Sequence, residues 1–247
     1  MIKKFSKRAI NIPKAIVMDT DDTLYPYDIA HKSAIEKVIN KSVKDFKVSR
    51  KDFLNSFKQA KFETKKRLSG TASSHSRLLY FQRTIELLGM GTRIFSTLDL
   101  EQTYWREFLN NAKLFDGVDL FLQTVKSHGI KTANITDLTA QIQFRKMIFF
   151  NIDEYFDYVV TSEESGHDKP HISAFELMLE KLNLDPLDIW VIGDGAETDI
   201  IGAKESFDII TFQKINKKNI DPKNKPDFAF NNYQDLIKFF KTLVGRS

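Results

Sequence analysis

The chain has 247 residues, of which 42% are hydrophobic. That is enough for one large domain, or for a main domain with a smaller one inserted, and too much for a disordered chain. The formal charge is +4 and there is no cysteine, which excludes a disulfide framework and a Cys-based zinc site. The lysines are scattered, with no basic stripe interleaved with aromatics, so no nucleic-acid partner is expected. No stretch approaches the ~18 apolar residues of a membrane helix. The start (Lys3, Lys4, Lys7, Arg8, Lys14) is basic but lacks the apolar segment of a secretory signal, and a cytoplasmic protein is expected.

The first element is Ala15-Ile16-Val17-Met18, a short apolar run that reads as a buried strand. Asp19-Thr20-Asp21-Asp22-Thr23-Leu24 follows it directly. Two carboxylates spaced i, i+2 therefore stand at the carboxyl end of a strand, where open α/β sheets place their ligands. A calcium loop would need Gly at its sixth position and Glu at its twelfth, but Leu24 and Ala30 stand there. Helical stripes come next: Ile29, Ile35, Val38 and Ile39; Phe53, Leu54, Phe57 and Phe62; Leu78, Leu79, Phe81, Ile85 and Leu88; Leu98, Tyr104, Trp105 and Phe108. With Gly70, Gly89 and Gly91 as breaks, residues 25–113 read as a helical insertion. Its aromatics, Tyr80, Phe81, Tyr104 and Trp105, read as core.

From Phe115 onward strands and helices alternate. Helices are expected over 116–127, 138–149, 171–182, 200–206 and 234–243. Strands are expected over 130–135, 158–160, 189–192, 209–212 and 228–230. The lysine- and asparagine-rich stretch 217–225 reads as a surface loop. Such alternation predicts a mostly parallel sheet with helices on both faces. Right-handed crossovers then bring all the strand carboxyl ends to one edge. Past those ends stand Asp19 and Asp21, Thr136 and Asp137, Lys169 after a loop, Asp194, and Asp199. Several carboxylates, one hydroxyl and one lysine on one edge suit phosphoryl transfer with Mg²⁺, a hard ion that takes oxygen ligands. Gly193 and Gly195 make only a weak dinucleotide loop, because Thr198 takes the place of its third glycine. His167 and His171 flank Lys169 and read as surface or substrate-rim residues in preference to a metal pair.

Asp19 to Leu24, Thr136, Lys169-Pro170 and Gly193-Asp194-Gly195-Ala196-Glu197-Thr198-Asp199 resemble, in order and spacing, the four motifs of the haloacid dehalogenase-like (HAD-like) hydrolases. The resemblance covers the first strand and almost everything from Phe115 to the C-terminus. It implies a doubly wound, Rossmann-like core over 1–24 and 114–247. The insertion over 25–113 is similar to the family's helical cap in position and kind only. A further implication is a phosphatase acting on a small phosphorylated metabolite. Asp19 would be the nucleophile, forming an aspartyl-phosphate, and Asp21 the acid–base residue. Thr136, Asp137 and Lys169 would bind the substrate. Asp19, Asp194 and the main-chain carbonyl of Asp21 would hold Mg²⁺, with Asp199 orienting a metal water or Lys169 from behind. Three departures stand out: Met18 where an aromatic is common, Asp137 where Asn is common, and Phe207 where a glycine is common. A dehalogenase, a phosphomutase and a non-enzymatic module remain the alternatives; the first needs neither Asp21 nor the metal carboxylates.

Overall fold

A computed structural model describes residues 2–215 and 225–245. Apart from Lys225, the expected loop over 217–225 lies outside the described residues. Two compact units emerge, one of 1–26 with 113–247 and the other of 27–112. Tyr25 and Pro26 thus stay with the first unit, two residues beyond the boundary read from sequence. Tyr25 is fully buried, its ring 5.0 Å from that of Phe150.

The first unit holds a seven-stranded sheet. In chain order its strands are β1 (Lys3–Lys4), β2 (Ala15–Met18), β3 (Lys131–Thr136), β4 (Tyr158–Thr161), β5 (Ile189–Gly193), β6 (Ile210–Lys214) and β7 (Phe228–Phe230). Their spatial order is β1-β7-β6-β5-β2-β3-β4, and every pairing is parallel except that of β1 with β7. Strands β2 and β5 are buried on both faces, which is why they read as unbroken apolar runs, whereas β3 and β6 also bury polar residues such as Asn134 and Gln213. One face (Ala15, Val17, Ala133, Ile135, Val191) packs on Ala174, Phe175 and Met178 of helix Ile172–Leu182 and on Ala203. On the other face Trp190 lies 6.3 Å, ring to ring, from Phe240 of helix Tyr233–Val244. The register sets the edge where the candidate residues gather: Met18 pairs with both Asn134 and Ile192, so β3 runs two residues and β5 one residue past the end of β2.

The remaining helices of this unit are Val118–Ser127, Ala140–Phe150, the single turn Ser162–Ser165, and Gly202–Phe207. The last is preceded by a wide π-type turn over Ala196–Ile201, so helical structure begins several residues before the expected start at Ile200. It ends at Phe207 without a glycine, because Asp208 adopts the left-handed conformation (φ 52°), one that short polar residues tolerate.

The second unit is four helices: Tyr27–Phe46, Arg50–Arg67, Arg77–Leu87 and Ile94–Asn111. Ser49 and Ser76 cap the second and third by accepting from the main-chain N–H of Asp52 and Leu79. Its core is aromatic: Phe53, Phe57, Tyr80, Phe81, Tyr104, Trp105 and Phe108 are all buried. Ile29, Phe62 and Leu98, which helical spacing puts on the apolar stripes, are exposed instead.

Candidate active site

Asp19 sits one residue past β2, and its main-chain N–H donates to Ile192 O of β5 at 2.9 Å. The sheet ladder therefore continues into the loop after β2 and fixes where the Asp19 side chain starts. That side chain is only 10% exposed. Its Oδ1 accepts from Lys169 Nζ at 2.6 Å, and its Oδ2 from Thr23 Oγ1 at 3.1 Å. Lys169, also buried, donates further to Asp199 Oδ1 at 2.7 Å and to Ile135 O at 3.1 Å. Its ammonium thus gathers groups from the ends of β2 and β3 and from the turn after β5.

Asp199 is held from its other side by the main-chain N–H of Gly195, which donates to Oδ2 at 2.9 Å. This close approach explains the glycine before Asp194. A Cβ at position 193 would lie 2.4 Å from Asp199 Oδ2, and one at position 195 would lie 2.0 Å from Thr198 Oγ1. Asp194 lies at the same edge: its carbonyl accepts from Gln213 Nε2 at 3.0 Å, and Thr23 Oγ1 lies 3.5 Å from its Oδ1.

The electrostatics follow from burial. Burial pushes the Asp19 carboxyl up to about 7, Lys169 pulling it down and Asp199 adding repulsion. Burial likewise pushes Asp194 up to about 8, reinforced by Asp19 and Asp199. For Lys169 burial works to lower the value, but Asp19 and Asp199 hold it well above the ordinary lysine range, so the ammonium is charged at neutral pH. Asp19, Asp194 and Asp199 each offer a carboxylate oxygen, all within 4.8 Å of one another. Three carboxylates against one ammonium leave the cluster short of positive charge. A hard, all-oxygen donor set of this kind fits a divalent cation such as Mg²⁺.

The other sequence-predicted residues flank this cluster. The buried Thr136 hydroxyl accepts from Gln143 Nε2 at 2.8 Å. Asp137 turns its Oδ1 to the main-chain N–H of Lys169, 2.9 Å away, and so ties the lysine's loop to the end of β3. That bond needs an acceptor, which Asp supplies as well as Asn. Asp21 Oδ1 accepts from Lys146 Nζ at 2.7 Å and also from the Tyr25 hydroxyl. His167 and His171 are exposed and stacked on each other with centroids 4.0 Å apart, and His171 Nδ1 caps the helix that follows it.

Sequence reasoning missed five contributors. Thr23 lay inside the motif and bonds Asp19. Tyr233 donates its hydroxyl to Thr23 O at 3.0 Å. Gln143, Lys146 and Tyr25 hold Thr136 and Asp21. Gln143 and Lys146 stand i, i+3 on one helix, and both face inward.

A family model described as haloacid dehalogenase-like hydrolase matches residues 13–206. The chain belongs to that family. Among its HAD-like relatives, a ribulose-1,5-bisphosphate 5-phosphatase from Halopiger xanaduensis is 32% identical over 76% of this chain and 80% of that protein. A glyceraldehyde 3-phosphate phosphatase from Methanocaldococcus jannaschii is 27% identical over 93% of this chain and 98% of the relative. Among solved structures, a HAD phosphatase from Thermococcus onnurineus superposes with a TM-score of 0.67 at 17% identity, covering 91% of this chain and 96% of its own. A 2-haloacid dehalogenase from Pseudomonas syringae gives 0.70 at 18% identity, covering 95% and 99%. These likenesses establish the HAD-like fold, a doubly wound sheet with a helical insertion, and phosphatases and dehalogenases share it.

Proposed function

We propose that this protein is a Mg²⁺-dependent phosphatase that hydrolyses a small phosphorylated sugar or related monoester through an aspartyl-phosphate on Asp19. The observation that carries this reading is the buried Asp19–Lys169–Asp199 constellation, with Asp194 at the same edge. An Asp19 carboxylate oxygen attacks phosphorus, and the bond to the leaving oxygen breaks. Asp21 gives that oxygen a proton. Water then attacks the phosphorus, Asp21 takes its proton, and the bond to Asp19 breaks to free phosphate. Thr136 and Lys169 bind the phosphoryl oxygens. Asp137 contributes by fixing the loop that carries Lys169, and Asp199 by orienting its ammonium.

Asp19, Asp194 and the main-chain carbonyl of Asp21 would hold Mg²⁺. The bound ion would offset the charge between carboxylate and phosphate and favour the ionised Asp19 that attack requires. The dehalogenase reading leaves Asp21 and Asp194 without a task, whereas the named activities of the two curated relatives match the phosphatase reading. The helical unit acts as a cap that selects the leaving group. We assign the enzyme to the cytoplasm; no helix among the described residues is long and apolar enough to cross a membrane.

The test is a panel of phosphomonoesters assayed for phosphate release with and without Mg²⁺. Release is expected for at least one sugar phosphate, to be lost with chelator and in Asp19→Asn. No release from any ester with Mg²⁺ present overturns the reading.

A further inference from the structure

Lys146 is among the largest fully buried side chains of the described residues, yet it takes no part in the four motifs. It projects from helix Ala140–Phe150, and its Nζ lies 2.7 Å from Asp21 Oδ1. The same carboxylate oxygen accepts the Tyr25 hydroxyl, and the ammonium lies 5.7 Å from the centroid of the Tyr25 ring. The Asp21 side chain itself is 36% exposed. A lysine on the surface can release its partner at little cost. One with its stem in the core cannot, because an unpaired buried ammonium is expensive. Lys146 is therefore a fixed point, whereas Asp21 is a partly solvated group on a loop with several staggered rotamers open to it. Two donors converging on one oxygen select among those rotamers.

We propose that Lys146 is a positioning residue for Asp21. Supported by Tyr25, it orients the proton-transferring carboxylate and thereby governs protonation of the leaving group, without acting on the nucleophile. The proposal rests on the phosphatase reading, and the two separate by experiment.

The variant is Lys146→Met, which keeps the length and apolar stem. Asp21 is exposed enough to be hydrated when its partner is gone, and a denaturant curve checks that the fold persists. Two esters are compared by kcat/KM, which reports events up to transfer of phosphate to Asp19. Glyceraldehyde 3-phosphate has an alkoxide leaving group that needs a proton; p-nitrophenyl phosphate has one that departs without it. Lys146→Met is expected to lower kcat/KM for the alkyl ester by about 10–100-fold, part of the range for acid–base help, and to leave the nitrophenyl ester within about threefold. Tyr25→Phe, which keeps the ring and removes the hydroxyl, is expected to show the same selectivity more weakly. The double variant Lys146→Met/Asp21→Asn is expected to be no worse than Asp21→Asn alone.

Equal losses on both esters, no loss on either, or additive losses in the double variant would overturn the proposal and leave the phosphatase reading standing. A wild-type enzyme that turns over neither of these nor any other ester of the phosphomonoester panel with Mg²⁺ present would overturn both.

Discussion

Each unit buries cations, but in opposite company. In the sheet unit Lys169 meets Asp19 and Asp199, and Lys146 meets Asp21. In the helical unit the half-buried Arg77 has no carboxylate partner among the described residues. It donates to the Tyr27 hydroxyl and the His75 carbonyl, and its guanidinium lies 5.3–5.6 Å from the rings of Tyr80, Tyr104 and Trp105. Arg77 is thus held by hydroxyl, carbonyl and π faces, partners that a delocalised, weakly hydrated guanidinium accepts and an ammonium accepts less well. The difference separates cations that hold the carboxylates of the candidate site from a cation that ties an aromatic core together.

If that distinction is right, removing the cation should be most costly where carboxylates are left behind. Lys169→Met is expected to abolish phosphate release and to destabilise the fold by about 3–5 kcal/mol, the range for a buried pair stripped of one partner. Release assays and urea unfolding check the two halves. Gly193→Ala attacks the same cluster from its other side, since the new Cβ would lie 2.4 Å from Asp199 Oδ2. The expected outcome is a stability loss of about 1–3 kcal/mol and a fall in kcat as Asp199 is pushed off Lys169, read by the same two assays. In the helical unit Arg77→Met should cost less, about 1–2 kcal/mol, because only π and hydroxyl partners are lost. A loss as large as that of Lys169→Met would break the comparison.

A further effect is one of pH. Burial, with Arg77 adding repulsion, lowers His31 from 6.5 to about 4, and its Nδ1 lies 2.7 Å from the Tyr104 hydroxyl. The unfolded chain therefore takes up this proton more readily than the folded one. The contribution of His31 to stability should therefore fall as pH drops below 6.5 and level off below about 4. Thermal unfolding of the wild type and of His31→Gln between pH 7 and pH 4 isolates it, because the difference between the two profiles removes the opposite contribution of the raised Asp19 and Asp194 carboxyls.

The sheet and most of the residues gathered at its candidate site were legible because buried parallel strands such as β2 and β5 announce themselves as apolar runs, and such sheets set polar residues just past the strand ends. Asp19, Thr136 and Asp194 needed only that rule, and Lys169 needed one loop more. The supporting layer was not legible. Helix Ala140–Phe150 runs against the usual pattern, with Gln143 and Lys146 buried while Phe144, Ile148 and Phe149 face out. A stripe read by hydrophobicity would have turned it the wrong way. Its polar groups go inward because the Thr136 hydroxyl and the Asp21 carboxylate stand there to receive them, and that demand comes from segments distant in sequence. Strand β1 was invisible for a related reason. Two lysines have no strand-like character of their own and are ordered by the neighbour they pair with.

That same pair of lysines has a consequence for the molecule's behaviour in a crowded solution. Strand β7, Phe228-Ala229-Phe230, is short, apolar and buried, and without β1 it would end the sheet with open backbone donors and acceptors. Lys3 and Lys4 occupy that position antiparallel to it, one ammonium lying 5.7 Å from the Phe228 ring. They put charge where a second chain would otherwise add a strand. Shortening or recoding this end should leave turnover intact and show itself as self-association that grows with protein concentration.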